Sequence, residues 1–373
     1  MGVLLCRRVQ LQLCAFSTEC KPAQLEFRVP IMSELTPLTA IGEFALIRRL
    51  QQGITTRQPG TVLGIGDDAA IIRPTPGTEQ VLTTDLLVEG IHFDLAFCPL
   101  RHLGYKAVAV NVSDVAAMNA LPTQLVVALS AGPRFTVEAI EELYAGMRLA
   151  CEAYNVDLVG GDTTASRGGL TLAVTVLGEA PAGDVVRRSG GQPTDLLCVS
   201  GDLGGAFLGL QVLEREKQAF LADPETQPEL DNYEYIVQRQ LRPEARLDIV
   251  HELRELGIRP SSMIDISDGL ASEVLHLCAA SGTGARVFTE FLPLANPTLE
   301  AAAEFNLDPI TCALNGGEDY ELLFTVPVTD HEKLKNHPDI TIIGHLTAAA
   351  EGANLITKAG HPVPLQAQGW TSF

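Results

Sequence analysis

Residues 103 to 120 read "LGYKAVAVNVSDVAAMNA", a run with the composition of a helix and one carboxylate inside its apolar part. Ala107, Val110 and Asp114 recur at i, i+3 and i+7, so Asp114 projects from the apolar stripe and not from a solvated face. A lone buried charge there is expensive. Capping and turn chemistry, the usual reasons for an aspartate beside apolar residues, are unavailable in mid-helix. Any fold this chain adopts must therefore bring a cation or a polar partner to Asp114.

The pattern recurs. Asp85 lies in "LTTDLLVEG", Asp67 and Asp68 in "GIGDDAAII", Asp162 in "GGDTT", and Asp265 with Asp268 in "DISDGL". Each carboxylate sits at the end of an apolar segment beside glycine, serine or threonine. Taken singly, each has a plainer explanation: Asp67 and Asp68 as turn formers, Asp162 as an Asx-turn residue, Asp268 as the cap of a helix beginning at Gly269. Several hard oxygen donors on rigid elements suit magnesium, which takes carboxylates and waters at about 2.0–2.1 Å and bridges them to substrate phosphates. Gly64, Gly66 and Ala69 also fit the spacing of a dinucleotide fingerprint. That reading fails because a short strand and a Pro74/Pro76 turn follow, where a phosphate-binding helix N-terminus is needed.

The balance of charges narrows the partners. The 373 residues carry a formal net charge of −20, which argues against nucleic acid or an anionic membrane surface. No apolar run approaches membrane-spanning length. The eight cysteines are scattered without C-x-x-C pairs, as expected of reduced thiols in a cytoplasmic protein. Residues 1 to 38 differ from the rest: the first 31 hold three of the eight cysteines, and Met32 reads as a more natural start. This segment is expected to be a poorly ordered extension or an upstream addition to the reading frame, with no secretory cleavage pattern.

From Gly42 onward strand and helix patterns alternate, predicting an α+β fold of two mixed domains, each a β-sheet layered with helices. Phe44, Ile47 and Leu50 recur at helical spacing. "TVLGI", "AAII", "EQVLTTDLLV", "QLVVALS", "VDLVGGD" and "LTLAVTVLGEA" read as strands, with helices over about 100–120 and from a Thr136 cap to Tyr154. A turn-rich stretch at Pro181 to Gly183 divides residues 39–180 from 181–373. The second half opens with the strand "TDLLCVS" and a helix from "GDLGGAF". A further helix is expected to start at Pro243 and stop at Gly257, followed by "DISDGL" leading into another and "NGGEDYELLFTV" turning into a strand.

"GEFALI", "GIGDDAA", "TTDLLVEGIHF", "YKAVAVNVSDVAAMNA", "GGDTT", "DISDGL" and "NGGEDYELLFTV" stand in the order and approximate spacing found in thiamine-monophosphate kinases. From Gly42 to its C-terminus the chain resembles that family, part of the superfamily of aminoimidazole-ribonucleotide synthetase and selenophosphate synthetase. The resemblance implies the aminoimidazole-ribonucleotide-synthetase-like fold, a homodimer built through N-terminal domains that bind ATP and magnesium, and ATP-dependent phosphorylation of thiamine monophosphate to thiamine diphosphate. It implies several Mg2+ ions on Asp68, Thr83, Thr84, Asp85, Asp114, Asp162, Asp265 and Asp268. ATP contacts would come from Tyr144, Gly161, Asp162, Arg188 and Ser267, with Arg187 competing for the role of Arg188. His92, Glu318 and Trp370 would meet the thiamine phosphate, although the ending "GWTSF" departs from the family's aromatic-Asp-His. By default His92 would be a strand-end surface residue and Trp370 a core anchor.

No residue need act as a general base, because the acceptor phosphate is already ionised. The obstacle is repulsion between two anions, which metal-ion bridging relieves. No Walker "GK", protein-kinase H-R-D or D-F-G occurs. Three other readings compete: a sister enzyme of the superfamily, a sensor of thiamine phosphates without turnover, and a structural protein with a merely solvating acidic surface. Selenophosphate chemistry lacks its reactive Cys–Lys pair before Gly64, the carboxylates at every ligand position disfavour a sensor, and Asp114 disfavours the structural reading.

Overall fold

The computed structural model describes residues 35–369. Short helices α1 (Leu38–Ile41) and α2 (Glu43–Leu50) precede a small hairpin of β1 (Thr61–Leu63) and β2 (Ile71–Ile72). The first main sheet holds β3 (Thr78–Val88), β4 (Leu121–Ala131), β5 (Asp157–Ala165) and β6 (Thr171–Pro181) in the order β3-β6-β4-β5. Helices α3 (Leu100–Ala117) and α4 (Val137–Ala153) cover one of its faces. Residues 1–34 of the expected extension lie outside the described residues. Its last few are tied down: Thr36 donates its N–H to Glu138 and accepts from Val137, and Pro37 bridges to Thr136.

Alternation fixes which side chains meet the helices. Along β4, Leu125, Val127 and Leu129 are buried while Val126 and Ala128 are exposed. On β3 the open face carries Leu82, Thr84 and Leu86, opposite to Thr83, Asp85 and Leu87. Helices α3 and α4 pack backbone to backbone through Gly104 and Gly146: a Cβ at either would lie 1.9 Å from Leu143 O or 1.8 Å from Arg101 O. Thr136 caps α4 as expected, accepting from Ala139 N. Helix α3 stops at Ala117, three residues early, because Asn119 takes a left-handed φ of 56° and Ala120 N closes onto Val115 O.

The second sheet has seven strands, β7 (Leu196–Ser200), β8 (Ser262–Asp265), β9 (Thr283–Phe288), β10 (Leu322–Val326), β11 (Ile340–Ala348), β12 (Ala353–Ile356) and β13 (Pro362–Pro364). Their order is β13-β12-β9-β11-β7-β10-β8, antiparallel except for β12 beside β9. Around it lie α5 (Gly205–Ala222), α6 (Glu234–Leu241), α7 (Leu247–Glu255), α8 (Leu270–Ser281), α9 (Asn296–Glu304), α10 (Pro309–Asn315) and α11 (His331–Leu334). The halves share a core, since Leu208, Val212, Ile236 and Leu241 belong to the same apolar cluster as Phe97, Leu103 and Leu143. Phe44, expected on the apolar stripe of α2, is exposed; Leu46 and Leu50 are the buried positions.

The helix expected from Pro243 begins only at Leu247. Tertiary contacts hold the preceding residues out of the helix: Ala245 N donates to the Tyr154 hydroxyl, and Arg246 reaches Glu321 at 2.6 Å. Glu321 is buried and also receives Arg239 at 2.8 Å and Ser200 Oγ at 2.5 Å. Beside it Asp319 accepts from Gly204 N at the start of α5, its carboxyl pushed up to about 7 by burial. These buried groups anchor the turn at residues 316–321 that borders the site.

Candidate active site

Three carboxylates, Asp85 of β3, Asp265 at the end of β8 and Asp114 of α3, lie close enough to act on one another. Thr83 Oγ1 donates to Asp114 Oδ2 at 2.5 Å, and Asp85 N–H donates to Asn111 Oδ1 at 3.0 Å. Asn111 is itself fixed by its Nδ2, which donates to Ala107 O at 3.0 Å. From the same helix Ser113 Oγ donates to Asp265 Oδ2 at 2.7 Å. Helix α3 is buried on nearly every face, so its amphipathic stripe does not single out Asp114. Pairing with Thr83 does.

The acids resist ionisation together. Burial, then the charge of Asp114, pushes Asp85 up to about 6. Burial and the Asp114 charge push Asp265 up to about 7, against the opposing pull of Ser113. Asp114 is raised by burial and pulled back by the Thr83 hydrogen bond and the Arg188 charge. The hydroxyl of the half-buried Tyr320 is raised well above its ordinary value by burial and by Glu318, Asp265, Asp85 and Asp114. Such a concentration of poorly compensated negative charge is the environment that a divalent cation relieves.

Two clefts adjoin the cluster. One, of about 970 Å³, is lined by Thr83, Asp114, Asp265, Arg187 and Arg188. Both arginines border it, and it is Arg188 whose charge acts on Asp114. The other, of about 510 Å³, is lined by Asp85, His92, Ser267, Asp268, Glu318 and Tyr320, with Phe93 and Phe97 as apolar wall. His92 Nδ1 accepts from Val88 N at 3.0 Å, which places the neutral ring's proton on Nε2. Glu318 N donates to Ser267 O at 2.7 Å and Tyr320 N to Ile266 O at 2.9 Å, lacing the 316–321 turn to "DISDGL". Asp268 does not cap α8; Gly269 holds that position, and Asp268 N donates to Glu273 Oε1 at 3.2 Å.

Other expected site residues lie apart. Tyr144, Gly161 and Asp162 share a third, smaller cavity of about 170 Å³ with Ile47 and Leu50. Asp162 pairs with the exposed Ala128, whereas Asp85 pairs with the buried Val174, so the two aspartates stand on opposite faces of the first sheet. Asp85, Val174, Val127 and Gly161 form one row across it, which puts Gly161 about 14 Å from Asp85. Thr84 is also on the open face, donating to Val174 O and sharing a hydrogen bond with Thr175. Asp68 is exposed in the β1–β2 loop, where its N–H donates to Asp67 Oδ1 at 2.9 Å; Asp67 behaves as the turn residue of the plainer reading. Trp370 lies outside the described residues.

Asn111, Ser113, Tyr320 and Glu273 escaped the sequence reading. Their signal was present: Asn111 and Ser113 are polar interruptions of the same apolar helix as Asp114, at spacings that continue its inward faces. Among the described residues no group of three or more His, Cys, Asp or Glu side chains could hold a metal ion by itself.

The model of the family "AIR synthase related protein, N-terminal domain" matches residues 66–180. The chain is 36% identical to the thiamine-monophosphate kinase of Salmonella typhimurium, over 90% of this chain and 99% of that one. It is 32% identical to that of Bacillus subtilis over 89% and 99%. Among solved structures, AaThiL complexed with AMPPCP and TMP superposes with a TM-score of 0.69 at 32% identity, covering 91% of this chain and 100% of the other. A HypE hydrogenase maturation protein in complex with ATP, at 20% identity and a TM-score of 0.68, shares the fold. With acids of both sheets gathered beside two clefts, and with relatives matched over nearly their whole length, the chain belongs to the thiamine-monophosphate kinase family.

Proposed function

We propose that this protein transfers the γ-phosphoryl group of ATP to thiamine monophosphate, giving thiamine diphosphate, with several Mg2+ ions at the junction of the two clefts. The observation that carries this reading is the meeting of Asp85, Asp114 and Asp265, whose ordinary ionisation the fold opposes. The donor set suits the ion: hard carboxylate oxygens, with that of Asp114 oriented by Thr83 and that of Asp265 by Ser113, the Asp85 backbone fixed by Asn111, and Asp268 lining the acceptor cleft. When bound, Mg2+ supplies positive charge that offsets repulsion between the reacting phosphates.

The protein's own groups do the positioning. Arg188 faces the phosphate chain from the wider cleft, and Ser267 lies on its opposite border with Asp268. His92 presents Nε2–H to the acceptor phosphate, and Glu318 presents a carboxylate to the acceptor's cationic organic part, against the wall of Phe93 and Phe97. No side chain has to remove a proton, because the attacking oxygen belongs to a phosphate ionised at neutral pH. Tyr144, Gly161 and Asp162 are further nucleotide contacts of the family pattern, although they line the separate small cavity, and the exposed Asp68 of the β1–β2 loop is a further metal ligand of that pattern; the proposed role of Trp370 rests on the pattern alone.

The protein acts as a homodimer through residues 39–180. Supporting this, Leu82, Leu86 and Val126 leave an apolar open face on the first sheet, 69%, 55% and 38% exposed. That face also carries Thr84 and Asp162 into the interface between the copies. No described helix is long and apolar enough to cross a membrane, and the cysteines Cys151, Cys198, Cys278 and Cys312 are buried free thiols, which agrees with a cytoplasmic enzyme.

The test is incubation of the purified chain with ATP, Mg2+ and thiamine monophosphate, with products separated by chromatography. Stoichiometric thiamine diphosphate and ADP are expected. Saturable binding of thiamine monophosphate without product would favour a sensor, and ATP hydrolysis indifferent to thiamine monophosphate would favour a sister enzyme of the superfamily.

A further inference from the structure

Lys106 is a lysine where a lysine is costly. It lies on α3 with 3% of its surface exposed, and its charge is taken out of water. Its Nζ reaches Glu318 Oε1 at 2.9 Å and donates to Gln240 O at 3.1 Å. The other carboxylate oxygen, Glu318 Oε2, accepts from Gln240 Nε2 at 2.5 Å. Both oxygens of Glu318 are thus held from behind, by the ammonium on one side and the amide on the other, while the side chain keeps 30% of its surface open to the acceptor cleft.

The backbone is constrained as well. Glu318 adopts φ 59° and Tyr320 φ 53°, a conformation that non-glycine residues avoid and that surrounding structure must enforce. Gly317, at φ 72°, admits the turn, and a Cβ there would lie 2.6 Å from Ser267 O. The backbone bonds of Glu318 N to Ser267 O and Tyr320 N to Ile266 O hold this turn, so the Glu318 side chain leaves it from one fixed place between Lys106 and Gln240.

We propose that Lys106 is a positioning residue for the acceptor: with Gln240 it fixes the Glu318 carboxylate in the one orientation that meets the cationic organic part of the acceptor. This rests on the kinase reading above. The same helix carries Asp114 two turns further on, about 12 Å along its axis. Helix α3 therefore sets both ends of the acceptor, its ring end through Lys106 and Glu318 and its phosphate end through the acidic cluster. Removing the ammonium frees Glu318 to rotate and leaves its charge to be solvated differently, which weakens acceptor binding without touching the nucleotide.

The experiment measures KM for thiamine monophosphate and for ATP in wild type, Lys106→Met, Gln240→Ala, Glu318→Gln and the double variant Lys106→Met/Glu318→Gln. Expected is a rise of about tenfold or more in KM for thiamine monophosphate in each single variant, with KM for ATP within about twofold of wild type. The double variant should be no worse than Glu318→Gln alone, since Lys106 acts through Glu318. Equal rises in both KM values, or additive losses in the double variant, overturn the proposal and leave Lys106 a structural tether. If Lys106→Met does not fold, Gln240→Ala decides alone, because the amide holds the other oxygen: an unchanged KM for thiamine monophosphate overturns it. A wild type that forms no thiamine diphosphate would instead remove the kinase reading itself.

Discussion

Ser113 donates a hydrogen bond to Asp265 at 2.7 Å across 152 residues of sequence, and both are buried. This bond joins the long helix of the first half to the end of an edge strand of the second, at the point where the two clefts meet. It leaves Asp265 oriented and one of its oxygens committed.

Ser113→Ala removes that donor and leaves a buried carboxylate oxygen without it. The expected loss of stability is about 1–3 kcal/mol, the range for orphaning a buried polar group. Chemical denaturation checks the stability, and kcat measured on the folded variant should fall because Asp265 is no longer held. An unchanged denaturation midpoint would show that the bond does not bind the halves together.

Asp85→Asn and Asp114→Asn remove charges that oppose one another in the fold. In metal-free buffer at neutral pH both variants should melt no lower than wild type, because repulsion is relieved and no cavity is made. Turnover should fall by about a thousandfold, and the rise in melting temperature on adding Mg2+ should shrink. Wild-type turnover in either variant would detach these aspartates from the metal.

The pH dependence follows from the same acids. The folded-state values of Asp85 and Asp265, about 6 and about 7, lie above their ordinary value of 3.8. A raised acid contributes stability while it is protonated, fully below about pH 4, and that contribution is lost as pH rises through 6 to 7. Without divalent ions, thermal stability should therefore decline between pH 5 and 7.5. Added Mg2+ should recover it at pH 7.5 and do little at pH 5. A metal-free melting temperature that rises across this interval would contradict the shared burial of the two acids.

Much of this site was readable in advance because its residues break local rules. A carboxylate in mid-helix at Asp114, or one closing a strand at Asp265, conflicts with its neighbours, and the conflict is visible in the sequence. Strand and helix assignments held where periodicity was strong, as in β3, β6 and α4. The start of α7 was missed because Arg246 answers to Glu321, 75 residues away, and local propensity carries no record of that. Which face Asp162 occupies was likewise hidden, since it depends on the register of β5 against β4. Lys106 carries no local signal, because its partners, Gln240 and Glu318, come from two distant segments.

His92→Ala tests the acceptor end of the cleft. Val88 N occupies Nδ1, so only Nε2 is free to meet a ligand, and the ring is exposed. Alanine costs the fold little beyond that one hydrogen bond, within about 1 kcal/mol. KM for thiamine monophosphate should rise more than KM for ATP. Equal effects on the two substrates would place His92 outside the acceptor site.

Leu86→Glu tests the open face of the first sheet. Leu86 is 55% exposed on the open face of β3, beside Leu82 at 69%, and an exposed apolar patch of this kind marks an interaction surface. Because more than half of the side chain is exposed in its own copy, the substitution should change monomer stability by less than about 0.5 kcal/mol. In the dimer proposed above, the two copies of the introduced glutamate would be desolvated within one apolar interface. Light scattering should show wild type at twice the 39.9 kDa chain mass and the variant at the chain mass. Activity should fall with dissociation, since Thr84 and Asp162 share that face. A wild type that scatters as a single chain, or a variant that stays dimeric at full activity, would leave the apolar face without the partner argued for it.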